Sequence, residues 1–250
     1  MPIPSLRGGG FRLSAWSSLP DTGVLESLMA ASFDAIVLDM QHGMHDVRSM
    51  EAGITIAARA GKPAIVRVPV GDLAFVSRAL DFGAAAVILP MIETVEDARA
   101  FVDVAKYPPL GNRSFGPSRT VALHGYGIGA DYMRAANDST LTLAMIETQS
   151  AYRDLDAILA VEGIDGVLVG PADLSVALLG RLDPNCAETI ELTAHIAHRV
   201  AAAGKFASIY ASDAEAAHRA KAQGFHLAGI SSDMAMLKSA ADSLAGSVER

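Results

Sequence analysis

Residues 141–175, LTLAMIETQSAYRDLDAILAVEGIDGVLVGPADLS, read as strand, helix and strand. Each strand ends in a carboxylate: Glu147 follows LTLAMI, and Asp173 stands just past GVLVG. In a parallel α/β fold the carboxyl ends of neighbouring strands share one mouth, where ligands bind. No Lys or Arg stands beside either acid in sequence, so the two would repel each other unless something positive lay between them. A divalent metal with oxygen ligands is the natural candidate. The plainer reading makes Asp173 the cap of a helix starting at LSVALL. The paired placement favours the metal.

Working outward, the same alternation fills the chain. Short β-rich runs recur at 12–17 (RLSAWS), 35–39 (AIVLD), 64–68 (AIVRV), 86–90 (AVILP), 141–147, 166–170, 205–210 (KFASIY) and 226–230 (HLAGI). Nearly continuous apolar runs are the mark of strands buried on both faces. Between them lie amphipathic, Ala-rich stretches such as VRSMEAGITIAARAG, DLAFVSRALDFG, TVEDARAFVDVAKY and DAEAAHRAKAQG, several ending in Gly as helix stop signals do. Eight strand–helix units predict an α/β protein of the (β/α)8 TIM-barrel class, as a single domain. An open doubly wound sheet is the runner-up, weakened because no GxGxxG follows the first strand.

One interval breaks the rhythm. Residues 107–140 are rich in Gly and Ser and carry three Arg. Long connections in compact domains are usually functional or disordered. On the reading that this one leaves strand 4 at the active face, it is expected to be an active-site lid or an intersubunit arm.

Composition narrows the partners. The chain has 250 residues and a net charge of −8, so nucleic acid and anionic membrane surfaces are not expected to bind. Cys186 is the only cysteine, which removes a disulfide framework and CxxC metal sites, and it reads as structural. MPIPSLRGGG contains no apolar leader core, and no run reaches about 18 apolar residues. A cytoplasmic protein is expected.

At the carboxyl ends of the strands stand Asp39, Gln41, His42, Arg67, Glu93, Glu147 and Asp173. A His, an Arg and acids contributed by separate strands are how barrel enzymes assemble their sites. His42 and His45 form an HxxH pair, open to a metal reading, although the flanking residues look like loop. Arg67 interrupts an apolar strand and requires an anion, either a neighbouring carboxylate or the substrate. His195 and His198 fall on a predicted helix and read as a solvated face. No lysine stands at the carboxyl end of a strand, so the Schiff-base nucleophile of metal-free aldolases is missing. YASD (210–213) and ISSD (230–233) replace a glycine-rich phosphate cradle. A small non-phosphorylated acid fits better than a sugar phosphate.

Several segments together resemble the HpcH/HpaI family of metal-dependent pyruvate aldolases, whose best-known members are 4-hydroxy-2-oxoheptanedioate aldolases. They are LDMQH (38–42), VRVP (66–69), LDFGAAAVILPMIET (80–94), GNRSFGPSR (111–119), MIETQSA (145–151) and VEGIDGVLVGPADLS (161–175). The 14-residue spacing from Arg67 to Asp81 also matches the family pattern. The resemblance implies Glu147 and Asp173 as ligands of Mg²⁺, Mn²⁺ or Co²⁺, and His42 as the base, acting through a water. It implies Asp81 as the partner of His42, supplied by a neighbouring subunit, and Arg67 as the donor to the pyruvate oxygen. The N–H groups of Ala172 and Asp173 would take the pyruvate carboxylate. The implied reaction is reversible cleavage of 4-hydroxy-2-oxoacids to pyruvate, or a close 2-oxoacid such as hydroxypyruvate, plus an aldehyde. The implied assembly is a homo-oligomer, a hexamer built from dimers, with the C-terminal helix against a neighbour. Two positions depart from the pattern: Gln41 stands where members commonly carry Glu, and Met145 where many carry Gln. The rival readings are a malyl- or citramalyl-CoA-type lyase and a non-catalytic 2-oxoacid-binding protein.

Overall fold

Eight apolar runs become eight parallel strands in the computed structural model, which describes residues 5–127 and 129–248. They are β1 (Arg12–Ser17), β2 (Ala35–Asp39), β3 (Ala64–Arg67), β4 (Ala86–Leu89), β5 (Leu141–Ile146), β6 (Gly166–Val169), β7 (Phe206–Ala211) and β8 (Leu227–Ile230). Each pairs with the next and β8 returns to β1, so the sheet closes as a (β/α)8 barrel. The first four residues of the start read above for a leader, Ile128 within the long interval, and the last two residues lie outside the described residues.

Twelve helices surround the barrel among the described residues: α1 (Thr22–Ala30), α2 (Val47–Arg59), α3 (Leu73–Phe82), α4 (Val95–Ala105), α5 (Ser118–His124), α6 (Ala130–Ser139), α7 (Gln149–Arg153), α8 (Leu155–Leu159), α9 (Pro171–Leu179), α10 (Ala187–Ala202), α11 (Ala214–Ala222) and α12 (Asp233–Gly246). Their starts are written in the sequence. Asp46 and Ser49 form a reciprocal capping box at α2, Thr94 and Asp97 another at α4, and Asp213 and Ser232 cap α11 and α12. Among the described residues no helix is long and apolar enough to cross a membrane.

Strand periodicity sorts the core into two layers. Ile36, Leu38, Val66, Val87, Ala144, Ile146, Val167 and Val169 point outward and pack under the helices. The alternate residues Val37, Ile65, Ile88, Leu143 and Leu168 fill the barrel interior, capped below by Leu6. The interior parity continues upward to Trp16, Asp39, Arg67, Met145 and Tyr210, which form the top layer.

The long interval sits elsewhere than expected. It follows α4, which returns the chain from β4 to the amino end of the barrel, so it does not leave the strand at the active face. It contains α5 and α6 and has a small core of its own, Tyr107, Tyr132 and Ala136. Arg113 binds Asp81, and His124 lies against Gly83, both at the last turn of α3. None of the described residues of 107–140 is among those that line the mouth of its own barrel. The expectation that it leaves strand 4 at the active face is thereby corrected.

Candidate active site

The top layer of the barrel bounds a cavity of about 250 Å³, lined by Trp16, Asp39, His42, Arg67, Met145, Gly170, Asp173 and Tyr210 among others. A smaller cavity of about 70 Å³ lies behind Pro171, Ala172 and Tyr210, and no carboxylate or imidazole lines it. The chemistry belongs to the mouth.

Asp39 and Arg67 are direct neighbours in the β2–β3 register. Arg67 donates from Nε to Asp39 Oδ1 at 2.9 Å and from Nη2 to Oδ2 at 2.6 Å, a two-pronged pair. The pair is buried, which settles the first partner of Arg67 as a carboxylate of its own chain. Nη1 is left over: it faces the Met145 sulfur at 3.9 Å, and the guanidinium lies 4.9 Å from the Trp16 ring centre. Burial pushes the Asp39 carboxyl up, but the hydrogen bonds and charge of Arg67, with N–H groups of His42 and Trp16, outweigh it and hold it below its ordinary value.

That balance predicts a pH-dependent result. A carboxyl with a depressed native pKa contributes stability above its unfolded value, about 3.9, and loses it as pH falls through the lower native value. Asp39→Asn leaves the Arg67 charge buried and unpaired, which costs about 3–5 kcal/mol near neutral pH. Urea unfolding should show that deficit at pH 7 and a smaller one below pH ~4, where wild type loses the same contribution.

Glu147 follows β5 and is buried. Its Oε1 accepts the Met91 N–H at 2.8 Å. Met91 has a left-handed backbone (φ 55°), a strained conformation that aims this N–H at the site. Burial raises the Glu147 pKa, and the negative charge of Asp173 raises it further, against the Met91 bond and the Arg67 charge. No ion pair offsets it among the described residues. Gly170 makes the arrangement possible: a Cβ there would lie 2.9 Å from Met145 Cε and 3.3 Å from Glu147 Oε2. Two interacting carboxylates, one buried and unpaired, are a donor set suited to a hard divalent cation. They are only two; no group of three or more His, Cys, Asp or Glu is arranged for a metal among the described residues. Further ligands have to come from water and substrate.

Asp173 stands in the first turn of α9, whose N-cap is Gly170 and whose first residue is Pro171. Asp173 is not the cap. The first-turn N–H groups of Ala172 and Asp173 have no carbonyl of their own helix to bind, and both residues line the mouth.

His42 lines the mouth, and its ring has no hydrogen-bond partner among the described residues. Asp81 is not brought to it. α3 runs from the mouth toward the amino end, and Asp81, in its last turn, binds Arg113 at 2.5 Å. Burial raises the Asp81 pKa, partly opposed by Arg113. His45 is also unavailable to a two-histidine metal site, since Nε2 faces Ser17 at 3.0 Å and Nδ1 faces Ser49 at 3.1 Å. Glu93 is exposed outside the mouth, where its N–H bonds Asp97. The contribution of that loop is the Met91 N–H instead. Trp16 and Tyr210, packed edge to face at 5.1 Å, escaped the sequence reading; inward parity at the ends of β1 and β7 was their only signal.

The model of the HpcH/HpaI aldolase/citrate lyase family matches residues 12–240. The chain belongs to that family. A hydroxypyruvate/pyruvate aldolase of Rhizorhabdus wittichii is 36% identical over 231 residues, covering 92% of this chain and 90% of the relative. A 2-keto-3-deoxy-L-rhamnonate aldolase of Salmonella gallinarum is 33% identical, covering 95% and 89%. The crystal structure of an HpcH/HpaI aldolase from Desulfitobacterium hafniense superposes with a TM-score of 0.87 at 28% identity, over 95% of this chain and 92% of the other. This HpcH/HpaI protein is a carbon–carbon lyase of the aldolase type.

Proposed function

We propose that the enzyme is a divalent-metal-dependent aldolase that reversibly cleaves 4-hydroxy-2-oxoacids to pyruvate or hydroxypyruvate plus an aldehyde. The observation that carries this reading is the meeting of Arg67 and Asp173 in one mouth, with Glu147 directly behind Gly170. Glu147 and Asp173 would hold Mg²⁺, Mn²⁺ or Co²⁺. When bound, such an ion supplies positive charge for the oxygen that becomes an enolate.

The remaining work falls to the chain's own residues. The N–H groups of Ala172 and Asp173 bind the carboxylate of the 2-oxoacid. Arg67, with Nε and Nη2 locked on Asp39, keeps Nη1 free to donate to the developing enolate oxygen. In the cleavage direction His42 receives the proton of the C4 hydroxyl, through a water. The C3–C4 bond breaks, its electron pair enters the enolate, and the aldehyde leaves; the proton taken up by His42 is then returned to C3. Histidine is the side chain suited to such transfers near neutral pH. Trp16, Met145 and Tyr210 give the pocket apolar walls that limit water. Incubation with pyruvate or hydroxypyruvate, an aldehyde and Mg²⁺ should form a metal-dependent adduct. Turnover of CoA thioesters instead, or binding of oxalate with no turnover, would overturn the reading.

Asp81 is assigned to the His42 of a neighbouring subunit, in a cytoplasmic homo-oligomer, a hexamer built from dimers, in which the exposed α12 also meets a neighbour. Support comes from the position of Asp81 at the far end of α3 and from Met234, Leu237 and Leu244, exposed along α12. His42→Ala and Asp81→Asn should each lose most activity. Mixing the two under subunit exchange should regenerate wild-type sites, because one partner supplies the imidazole and the other the carboxylate. No recovery on mixing would separate the two residues.

A further inference from the structure

Three residues beyond His42 stands a second histidine with the opposite surroundings. His45 is buried, whereas His42 is exposed. Its ring lies where three elements meet. Ser17, the last residue of β1, has its Oγ 3.0 Å from His45 Nε2, and Ser49, in the first turn of α2, has its Oγ 3.1 Å from Nδ1. The Ser17 hydroxyl is also 3.0 Å from Oδ2 of Asp233, the first residue of α12.

Hydrogen-bond directions through this chain are constrained. Asp233 accepts the N–H groups of Ser18, Leu19 and Met234, at 2.8–3.0 Å. Ser17 Oγ has two acceptors, Asp233 Oδ2 at 3.0 Å and Leu19 O at 3.3 Å, and the shorter, charged one takes its only hydrogen. What Ser17 has left for His45 is a lone pair, so Nε2 carries the ring hydrogen and Nδ1 accepts from Ser49. The Ser49 hydrogen has Asp46 O at 3.2 Å as its other acceptor, and the neutral tautomer with hydrogen on Nε2 leaves Nδ1 as the nearer one. Burial holds the His45 pKa below its ordinary value, against the charges of Asp233, Asp39 and Asp46.

The segment between is pinned on both sides. At its start, Asp39 Oδ1 accepts the N–H groups of Gln41 and His42 at 3.0 and 3.2 Å. In the middle, Met44 N–H donates to Ser18 O at 2.8 Å. Gly43 is pressed so close that a Cβ would lie 2.3 Å from Asp39 O and 3.0 Å from Ser18 Cα. At its end stands His45. α12 has no other buried residue than Asp233, so the same chain that fixes the loop also seats that helix.

We propose that His45 is a positioning residue for proton transfer: through Ser49–His45–Ser17–Asp233 it fixes the loop that presents His42, and ties that loop to the seat of α12. The inference rests on the reading of His42 as the proton-transfer group. A reacting group displaced by about 1 Å loses on the order of 10²-fold in rate. Ground-state binding depends on Arg67 and α9, which His45 does not touch.

Three substitutions separate hydrogen bonding from packing. His45→Leu keeps most of the volume and no hydrogen bond. His45→Gln keeps an amide N–H able to reach Ser17. Ser17→Ala removes the link from the other side. In the Mg²⁺-loaded enzyme, His45→Leu and Ser17→Ala should lower kcat for pyruvate C3 proton exchange by roughly 10- to 100-fold, with little change in KM. His45→Gln should recover most of that loss. If His45→Leu matches wild type, or if Gln does no better than Leu, or if KM rises in step with the loss of kcat, the positioning role is overturned. Melting curves confirm that each variant is folded; should His45→Leu fail to fold, Ser17→Ala decides by the same split of kcat from KM. His42→Ala, assayed alongside, keeps the two claims apart. Wild-type exchange in His42→Ala would overturn the reading of the base, whereas its loss together with a fully active Ser17→Ala would overturn only the role of His45.

Discussion

Glu147→Gln is expected to lose metal-dependent cleavage almost completely while melting at or above the temperature of the metal-free wild type. The amide keeps the size of the side chain and an oxygen for the Met91 N–H, so the strained turn at Met91 retains its acceptor. It removes a carboxylate that burial and Asp173 both disfavour, and no ion pair is broken. It also removes one of two acidic ligands from a cation that needs several oxygens. Lewis-acid stabilisation supplies several kcal/mol and each 1.4 kcal/mol is tenfold, so the loss should be on the order of a thousandfold. The signature is double: cleavage disappears, and so does the rise in melting temperature that Mg²⁺ gives the wild type. Asp173→Ala should behave alike in activity, since the N–H groups of α9 survive the change. Wild-type activity of either variant at low metal concentration would remove the carboxylates from the metal site.

Arg67→Ala should damage both rate and stability, through different contacts of one side chain. Loss of one preorganised donor to an oxyanion costs on the order of 10²–10³ in rate, and exchange at C3 and cleavage should fall together because both pass through the enolate. Stability should fall by about 3–5 kcal/mol because Asp39 is left buried without its partner. Arg67→Lys separates the two effects. An ammonium still neutralises Asp39, but a point charge cannot bind Asp39 with two prongs and keep a third nitrogen for substrate. It should recover more stability than activity. Full exchange activity in Arg67→Ala would assign the residue to the Asp39 pair alone.

Most of the barrel was legible because its strands are buried on both faces, and an apolar run of that kind stops where the strand stops. Glu147, Asp173 and Arg67 were recognisable as candidates for the same reason: each is the first polar residue to break such a run, and His42 follows Asp39 and Gln41 just past the end of β2. What escaped the sequence depends on three-dimensional pairing. The need of Arg67 for an anion was visible, but the choice of Asp39 follows from the β2–β3 register. Glu93 was misplaced because the left-handed turn at Met91 sends the chain away from the mouth, leaving a backbone N–H there instead. The interval 107–140 was assigned to the wrong end of the barrel because α4 lies between β4 and its start. His45 looked like half of an HxxH metal pair, since nothing in its neighbourhood announces Ser17, 28 residues earlier, as the partner of its ring.

Proton exchange at C3 of pyruvate in D2O, followed by NMR without any aldehyde, reads the central claim directly. Metal-dependent enolate formation in this mouth predicts that the methyl signal decays with enzyme and Mg²⁺, stops when a chelator strips the metal, and returns when Mg²⁺ is restored. In Glu147→Gln the decay should be absent under all three conditions. Exchange that continued at full rate in excess chelator, or that never appeared with Mg²⁺ present, would contradict the account.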